Sequence, residues 1–426
     1  MHKPLLFVGD IHLGRTPHRL GADGLDPTEL GPAEAWNRVV RYAVDRKVQA
    51  VVLAGDVVDH DEDRFEAFGH LSRGTATLVE HGIRVLGVAG NHDHVALPRL
   101  ADRIPDFTLL GRDCTWQRVE LEGVDLIGWS FNSRHHAGDP LESNGLQTVL
   151  DARRSDALCL GVLHGDLDQS QSRYAPVRTD DLAQHPVSGW FLGHIHQPHD
   201  LTQARPIGYL GSLVGLDRSE VGPRGPWLVT PQSSQSLSAE QIPLGPAYWR
   251  ALDVDISHVQ DGELAEDALH AAIVGAMSDA AANDPWFQAG PFRAVGCSIT
   301  LVGRTNARAS IRQFVQNWDT RHLNHETGSS RWLVVALSDE TRPERDLRRL
   351  AQQRTPLGQV AQLLLALDDG AVDAIPPAVS EALSGFNTAN WRAAEDHHPL
   401  PDPHSVVRKA ALELLDKLWA QRPEGL

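Results

Sequence analysis

The chain has 426 residues, 41% of them hydrophobic and 22% charged, with a formal net charge of −17. That length exceeds one ordinary hydrophobic core and predicts two or three domains, and the balance of apolar and charged residues excludes a disordered chain. The acidity excludes a protein whose whole surface binds nucleic acid, although Arg293–Arg354 reverses the sign locally, with eleven arginines against six acidic residues.

Over the first 240 residues, apolar strand runs alternate with helical stretches. Pro4–Val8 is strand-like and Gly9–Leu20 a loop. Pro32–Arg46 predicts a helix, with proline at its start and Trp36, Val39, Val40 and Ala43 on one side. Ala50–Ala54 predicts a short buried strand, Glu62–His81 a helix, and Ile83–Ala89, Val124–Ser130, Ala157–Leu163 and Val187–Leu192 further strands. The Ser/Gln-rich segment Pro231–Gln241 reads as a surface loop or the approach to a domain boundary. Tyr248–Ile256 then predicts a strand, Gly262–Ser278 a helix, Phe292–Gly303 a strand, Arg308–Asn317 a helix and Arg331–Leu337 a strand. This β-α-β-α-β order suits a small second domain. Pro356–Leu367, Ile375–Leu383 and Val406–Trp419 are helical candidates. In the last, Val406, Val407, Ala410, Leu414 and Leu418 form a stripe that suits either the core of a helical tail or a partner's groove. There is no internal repeat and no P-loop. The three cysteines, Cys114, Cys159 and Cys297, lie too far apart for a metal-ligand spacing or a disulfide framework, which fits a reducing compartment. No apolar run approaches a signal-peptide core or a membrane span, so a soluble, cytoplasmic protein is expected.

The chemistry sits in five short blocks: Gly9-Asp10-Ile11-His12, Gly55-Asp56-Val57-Val58-Asp59, Gly90-Asn91-His92-Asp93, His164-Gly165-Asp166 and Gly193-His194-Ile195-His196. Nearly every block falls at the C-terminal end of an expected strand, where layered α/β proteins gather their sites. Asp10 and His12, two apart on what reads as an extended segment, point to one side and can reach one ion. Asp56 follows a buried run, and its two carboxylate oxygens could bridge two metals. Asn91 offers a neutral amide oxygen, and His164, His194 and His196 add imidazoles. Such ligands suit manganese, iron or zinc. Two divalent ions activate water at neutral pH and offset the charge that builds on a phosphoryl group. His92, beside Asn91, is free to face a substrate and protonate a leaving oxygen, with Asp93 as its expected orienting partner. Among 22 histidines a single His-x-His says little, and His94, His135, His136 and His199 are expected to be surface or supporting residues. Arg304, Arg308, Arg312 and Arg321 are spaced to cluster on one face, as a solvated surface or as a contact for phosphate or a partner.

Together the five blocks resemble the calcineurin-like metallophosphoesterase superfamily over about the first 200 residues. The resemblance implies an α+β fold: a two-sheet β-sandwich core flanked by helices around a di-metal centre. Asp10, His12, Asp56 and His196 would bind one metal, and Asp56, Asn91, His164 and His194 the other, with His92 as general acid or transition-state stabiliser. Asp10-Ile11-His12-Leu13-Gly14, Leu192–His199 and Tyr209-Leu210-Gly211-Ser212 are most similar to the SbcD-type DNA repair exonucleases. By that likeness, residues 1–245 form the phosphoesterase domain, 246–345 a small α/β capping domain and 346–426 a helical tail. The activity implied is a 3'-5' exonuclease or endonuclease acting on DNA, with a coiled-coil ATPase subunit of SbcC type as partner and a homodimer as an alternative assembly. A phosphodiesterase for nucleotides or other small phosphodiesters, and a subunit that mainly docks the ATPase, are the competing readings. The acidic composition, with no lysine between Lys47 and Lys409, weighs against DNA. His60 stands after Asp59 where Ser/Thr protein phosphatases carry arginine, which argues against protein dephosphorylation.

Overall fold

A computed structural model describes residues 3–17, 20, 25–143, 145–260, 262, 264–318, 323–328, 330–370 and 403–421. Ile375–Leu383 and Arg321, both singled out from the sequence, lie outside the described residues.

The first sheet starts from short, wholly buried runs. β1 (Leu5–Val8), α1 (Pro32–Arg46), β2 (Ala50–Ala54), α2 (Arg64–Glu80), β3 (Arg84–Val88), α3 (Ala96–Ala101) and β4 (Phe107–Leu109) follow in order, and the four strands pair in parallel. α1 has Pro32 in its first turn and ends on Lys47 in a left-handed conformation. It buries Ala35, Trp36, Val39 and Ala43. α2 crosses it closely, because Gly74 leaves room for the Trp36 indole, whose Nε1 donates to His70 O at 3.1 Å.

The second sheet opens with the hairpin β5 (Trp116–Leu121) and β6 (Val124–Trp129). After α4 (Leu146–Asp151) come β7 (Leu158–His164), α5 (Thr179–Gln184), β8 (Gly189–Gly193) and β9 (Ile207–Tyr209), and β6 to β9 run parallel. Leu5, Phe7, Val52 and Leu86 of the first sheet share one apolar cluster with Leu126, Leu160, Val162 and Phe191 of the second. The Phe7 and Phe191 rings stack at 4.2 Å between centroids.

β10 (Trp227–Pro231) and β11 (Leu237–Gln241) then return to the free edge of β1. Of the segment Pro231–Gln241 read as a loop or boundary, residues 232–236 are an exposed turn, but Leu237–Gln241 is a strand. Leu237, Ala239 and Gln241 are buried, and Ser238 and Glu240 face out, so the period of two decides the structure against a polar composition.

A third sheet comprises β12 (Ala247–Asp255), β13 (Ala294–Val302), β14 (His325–Thr327) and β15 (Ser330–Asp339), in the order β12-β13-β15-β14. α6 (Ala265–Asn283), α7 (Pro285–Ala289) and α8 (Arg308–Asn317) accompany it over a separate apolar cluster. Its strands join the first core through Ala247, Trp249, Ala294, Leu333 and Val335. The architecture is a mixed α+β fold of three sheets flanked by helices.

By internal packing the chain divides into Met1–Arg342 and Pro343–Leu426. The second unit contains α9 (Leu347–Ala351), α10 (Pro356–Asp368) and α11 (Pro403–Ala420). Thr355 caps α10 through Oγ1, accepting from Gly358 N at 3.2 Å. The buried line of α11 is Val407, Ala411 and Leu415, set against Leu357, Val360 and Leu364 of α10. Of the expected stripe, Val407 is buried and Leu418 packs against this cluster, but Ala410 is exposed and Leu414 is 47% exposed. The helix offers two adjacent apolar lines, and the partner helix selects the one spaced four and four. Among the described residues, no helix is long and apolar enough to cross a membrane.

Candidate metal centre

Five strand ends converge. β1, β2 and β3 of the first sheet, and β7 and β8 of the second, each run into one of the five blocks. Past these ends the backbone takes conformations that L-residues rarely adopt: φ is 30° at Asp10, 53° at His12, 46° at Asp56 and 110° at His194. Asp10 and His12 therefore do not share a side by strand alternation, as an extended segment would have it; a left-handed turn brings them together. Such positions cost about 1–3 kcal/mol each and persist only where the surroundings hold them. Here His12 N donates to Asp56 O at 3.0 Å, and His194 N to the Asp10 carboxylate at 2.9 Å. Gly90 and Gly193 permit the close approach, since a Cβ would lie 2.2 Å from Asp56 Oδ1 at the first and 2.1 Å from Ala54 O at the second.

The seven expected ligands are brought into one buried cluster. Asp10, His12 and His196 offer ligand atoms within 4.8 Å of one another, as do Asp56, His164 and His194. Asn91 Oδ1 completes the second group, 3.0 Å from His164 Nε2 and 3.1 Å from His194 Nδ1. The partners of the opposite ring nitrogens fix the tautomers. His164 Nδ1 lies 3.0 Å from Ala54 O and must donate to it, so Nε2 turns toward Asn91 Oδ1 and, at 3.3 Å, Asp56 Oδ2. His12 Nδ1 donates to Asp59 Oδ1 at 2.8 Å and His196 Nδ1 to Glu220 Oε1 at 2.9 Å, which leaves their Nε2 atoms facing each other at 3.0 Å. His194 Nε2 lies 3.3 Å from Asp166 Oδ1, so its Nδ1 faces Asn91. In the first half the two Nε2 atoms face each other, and in the second His164 Nε2 is turned on Asn91 Oδ1 and the Asp56 carboxylate. That arrangement is repulsive unless a proton or a cation stands between them, and the donor set suits a pair of divalent ions.

The titration pattern agrees. Burial would lower the His164 pKa, but the Asp56 and Asp10 carboxylates outweigh it and hold it up at about 9. Asp56 is held well below the carboxylate range, burial being overcome by His164, His12 and His92. Burial raises Asp10, and the nearby Asp56 charge adds to that rise. His194 is pushed down to about 4 by burial and by His164.

His92 is part-exposed at the mouth of the cluster. Its N donates to Asp56 Oδ1 at 2.9 Å, and its Nδ1 donates to the backbone carbonyl of Asp59 at 2.9 Å. The expected pairing with Asp93 is therefore corrected. Asp93 is fully buried, and its two oxygens accept from Gly90 N and Val57 N, both at 2.7 Å. Burial and the Asp56 charge push its carboxyl up to about 7 against those donors. Adjacency in sequence suggested the pair, but the turn after Asn91 sends the two side chains apart.

Three supporting carboxylates had no role assigned from sequence. Asp59 closes the second block; besides His12, its Oδ2 takes His60 Nδ1 at 2.7 Å. Asp166 ends the fourth block. Glu220 had no motif at all. His94 Nδ1 donates to Asn91 O at 3.0 Å, His136 packs on Trp129 at 4.9 Å and His199 on Tyr209 at 4.9 Å, while His135 lies beside Tyr174 at 5.4 Å, and none of the four joins the ligand groups. The arginines lie elsewhere. Arg308 and Arg312 are exposed one turn apart on α8, and Arg304 is half-buried just before it. They follow the far end of β13, whose start at Gly296 packs on Trp249 beside the first core.

Residues 3–198 match the calcineurin-like phosphoesterase family. The uncharacterized metallophosphoesterase YhaO of Bacillus subtilis is 28% identical over 232 residues, covering 52% of this chain and 55% of its own. The DNA double-strand break repair protein Mre11 of Sulfolobus acidocaldarius is 25% identical over 204 residues, covering 45% of this chain and 49% of its own. The protein of the same name from Aeropyrum pernix is 26% identical over 282 residues, covering 59% and 63%. The chain thus spans 49% to 63% of the length of these relatives. Residues 3–198 form a calcineurin-like metallophosphoesterase superfamily domain with candidate metal-binding clusters, distantly related to Mre11-type proteins.

Proposed function

We propose that the chain is a metal-dependent DNA nuclease of the SbcD type, cleaving phosphodiester bonds in DNA repair. The observation that carries the hydrolytic part is the gathering of Asp10, His12 and His196, and of Asp56, His164 and His194, into two groups whose ligand atoms lie within 4.8 Å of one another, with the His12 and His196 Nε2 atoms facing each other at 3.0 Å. Asp10, His12, Asp56 and His196 would hold one divalent ion, and Asp56, Asn91, His164 and His194 a second, with manganese the expected metal. Bound there, the ions supply activated water and neutralise charge on the phosphoryl group. His92 holds no ion in this scheme. Its Nδ1 is spent on Asp59 O, so Nε2 is the atom that reaches the substrate and carries the proton for the leaving oxygen.

DNA as substrate is supported by the two relatives named for double-strand break repair. In this reading residues 1–245 are a two-sheet sandwich, 246–345 a cap that guides DNA past Arg304, Arg308 and Arg312, and 346–426 a helical region that docks a coiled-coil ATPase subunit. Asp93 serves the turn that carries Asn91. The test is cleavage of an end-labelled linear duplex with Mn2+, beside a cyclic-dinucleotide panel and a His92→Ala variant that still binds metal. The proposal expects DNA cleavage that His92→Ala lowers by about 100- to 10,000-fold. An inert wild type, metal-loaded and with its ATPase partner, refutes it. Turnover of small phosphodiesters far above DNA moves the substrate to that class, as the net charge of −17 would favour.

A further inference from the structure

The loop after β9 turns back over the metal cluster, and a single side chain ties it there. Ser212, fully buried, donates from N to His196 O at 3.0 Å, and Leu213 N donates to Asp10 O at 3.3 Å. Eight residues on, the Glu220 carboxylate gathers three donors. Oε1 takes His196 Nδ1 at 2.9 Å, and Oε2 takes Ser212 Oγ and Leu216 N, both at 3.1 Å. The other side of the loop is fixed to the third sheet: Gly215 O accepts from Trp249 Nε1 at 2.9 Å, and Gly222 N donates to Trp249 O at 3.1 Å. Glu220 thus stands on a braced loop with both oxygens committed.

We propose that Glu220 is a positioning residue for His196, holding the Nδ1 hydrogen so that the Nε2 lone pair is presented to an ion shared with His12 and Asp10. The inference rests on the metal-centre reading above and deepens it. A carboxylate is acceptor-only, so the 2.9 Å contact admits one ring orientation and one neutral tautomer. Without it the imidazole could rotate, or carry its hydrogen on Nε2 and face His12 Nε2 with a donor. His12 has its own carboxylate in Asp59, so each imidazole of this half is aimed by a separate acid.

The test is a Mn2+ titration of the full chain by calorimetry, with bound metal counted after desalting and thermal melting run alongside. Glu220→Ala is expected to weaken uptake of one ion by about 10- to 100-fold while the other keeps its wild-type affinity. Magnetic coupling between two bound Mn2+ ions should vanish at stoichiometric metal and return in excess. Glu220→Gln keeps an oxygen for His196 but sets an amide against Leu216 N, and a smaller loss is expected. Wild-type affinity for both ions in Glu220→Ala overturns the proposal; where that variant does not melt cooperatively, wild-type affinity in Glu220→Gln does so instead. A wild type that never takes up two ions overturns the metal-centre reading and this inference with it. A wild type that binds two ions but leaves DNA intact overturns only the substrate.

Discussion

Asp93→Asn distinguishes a catalytic role for this residue from a structural one. Both carboxylate oxygens accept backbone N–H groups at 2.7 Å, from Gly90 before Asn91 and from Val57 after Asp56. Hydrogen bonds to a charged acceptor contribute about 1.5–3 kcal/mol each, and an orphaned buried donor costs about 1–3 kcal/mol. Asparagine keeps one acceptor oxygen and turns its NH2 against the other N–H. Some of the loss is recovered, because the substitution also removes a buried charge that Asp56 already opposes. The net expectation is a loss of about 2–4 kcal/mol, a large part of the roughly 5–15 kcal/mol that holds a domain folded. Urea unfolding followed by tryptophan fluorescence measures it, and a metal titration should show weaker uptake, since Asn91 and Asp56 ride on the two turns released. If Asp93 instead oriented His92, the variant would unfold at the wild-type midpoint, bind metal normally and show only a displaced pH–rate profile. That result would refute the structural account.

Because His164 is held at about 9, above the unfolded value near 6.5, its contribution to the metal-free fold is full below pH ~6.5 and is lost as pH rises through 9. Metal must displace that proton, so apparent Mn2+ affinity should climb by up to about tenfold per pH unit between pH 7 and 9, and a flat calorimetric profile would contradict the assignment. Gly90→Ala places a Cβ 2.2 Å from Asp56 Oδ1, and sharply reduced metal uptake is expected; normal binding would show that the turn yields freely. Leu415→Ala should cost about 2–5 kcal/mol in the helical tail and Leu414→Ala under about 0.5, read from the melting of the full chain; equal effects would reject the observed register.

The candidate metal cluster was legible because metal chemistry restricts residue type and strand ends restrict position. Asp10, Asp56, Asn91, His164 and His194 each follow or end a buried apolar run, so pattern and chemistry coincided. What stayed hidden depends on neighbours far along the chain. Glu220 lies 24 residues from His196 and is one acidic residue among 56, distinguished only once the loop has closed. Asp166 stood inside a recognised block, yet its tie to His194 needs β7 and β8 side by side. The hairpin β10–β11 was obscured by the serines and glutamines of its turn, Gln232 to Ser236. Arg308 and Arg312 are both exposed, one turn apart on α8, as their spacing required.

Local backbone rules fail at the site itself. Four positions of the cluster, Asp10, His12, Asp56 and His194, occupy positive-φ backbone that strand rules do not foresee, at a cost of order 4–12 kcal/mol together. Each is held by a bond that belongs to another ligand block: His12 N to Asp56 O, His194 N to the Asp10 carboxylate, His92 N to Asp56 Oδ1. The bond from His194 to Asp10 joins the two sheets, so neither sheet alone could maintain the cluster. The apolar layer of Phe7, Val52, Leu160 and Phe191 that joins them is therefore a condition of the site as well as of the fold. A cavity cut there, remote from every ligand, would loosen the frame against which all four strained residues are held.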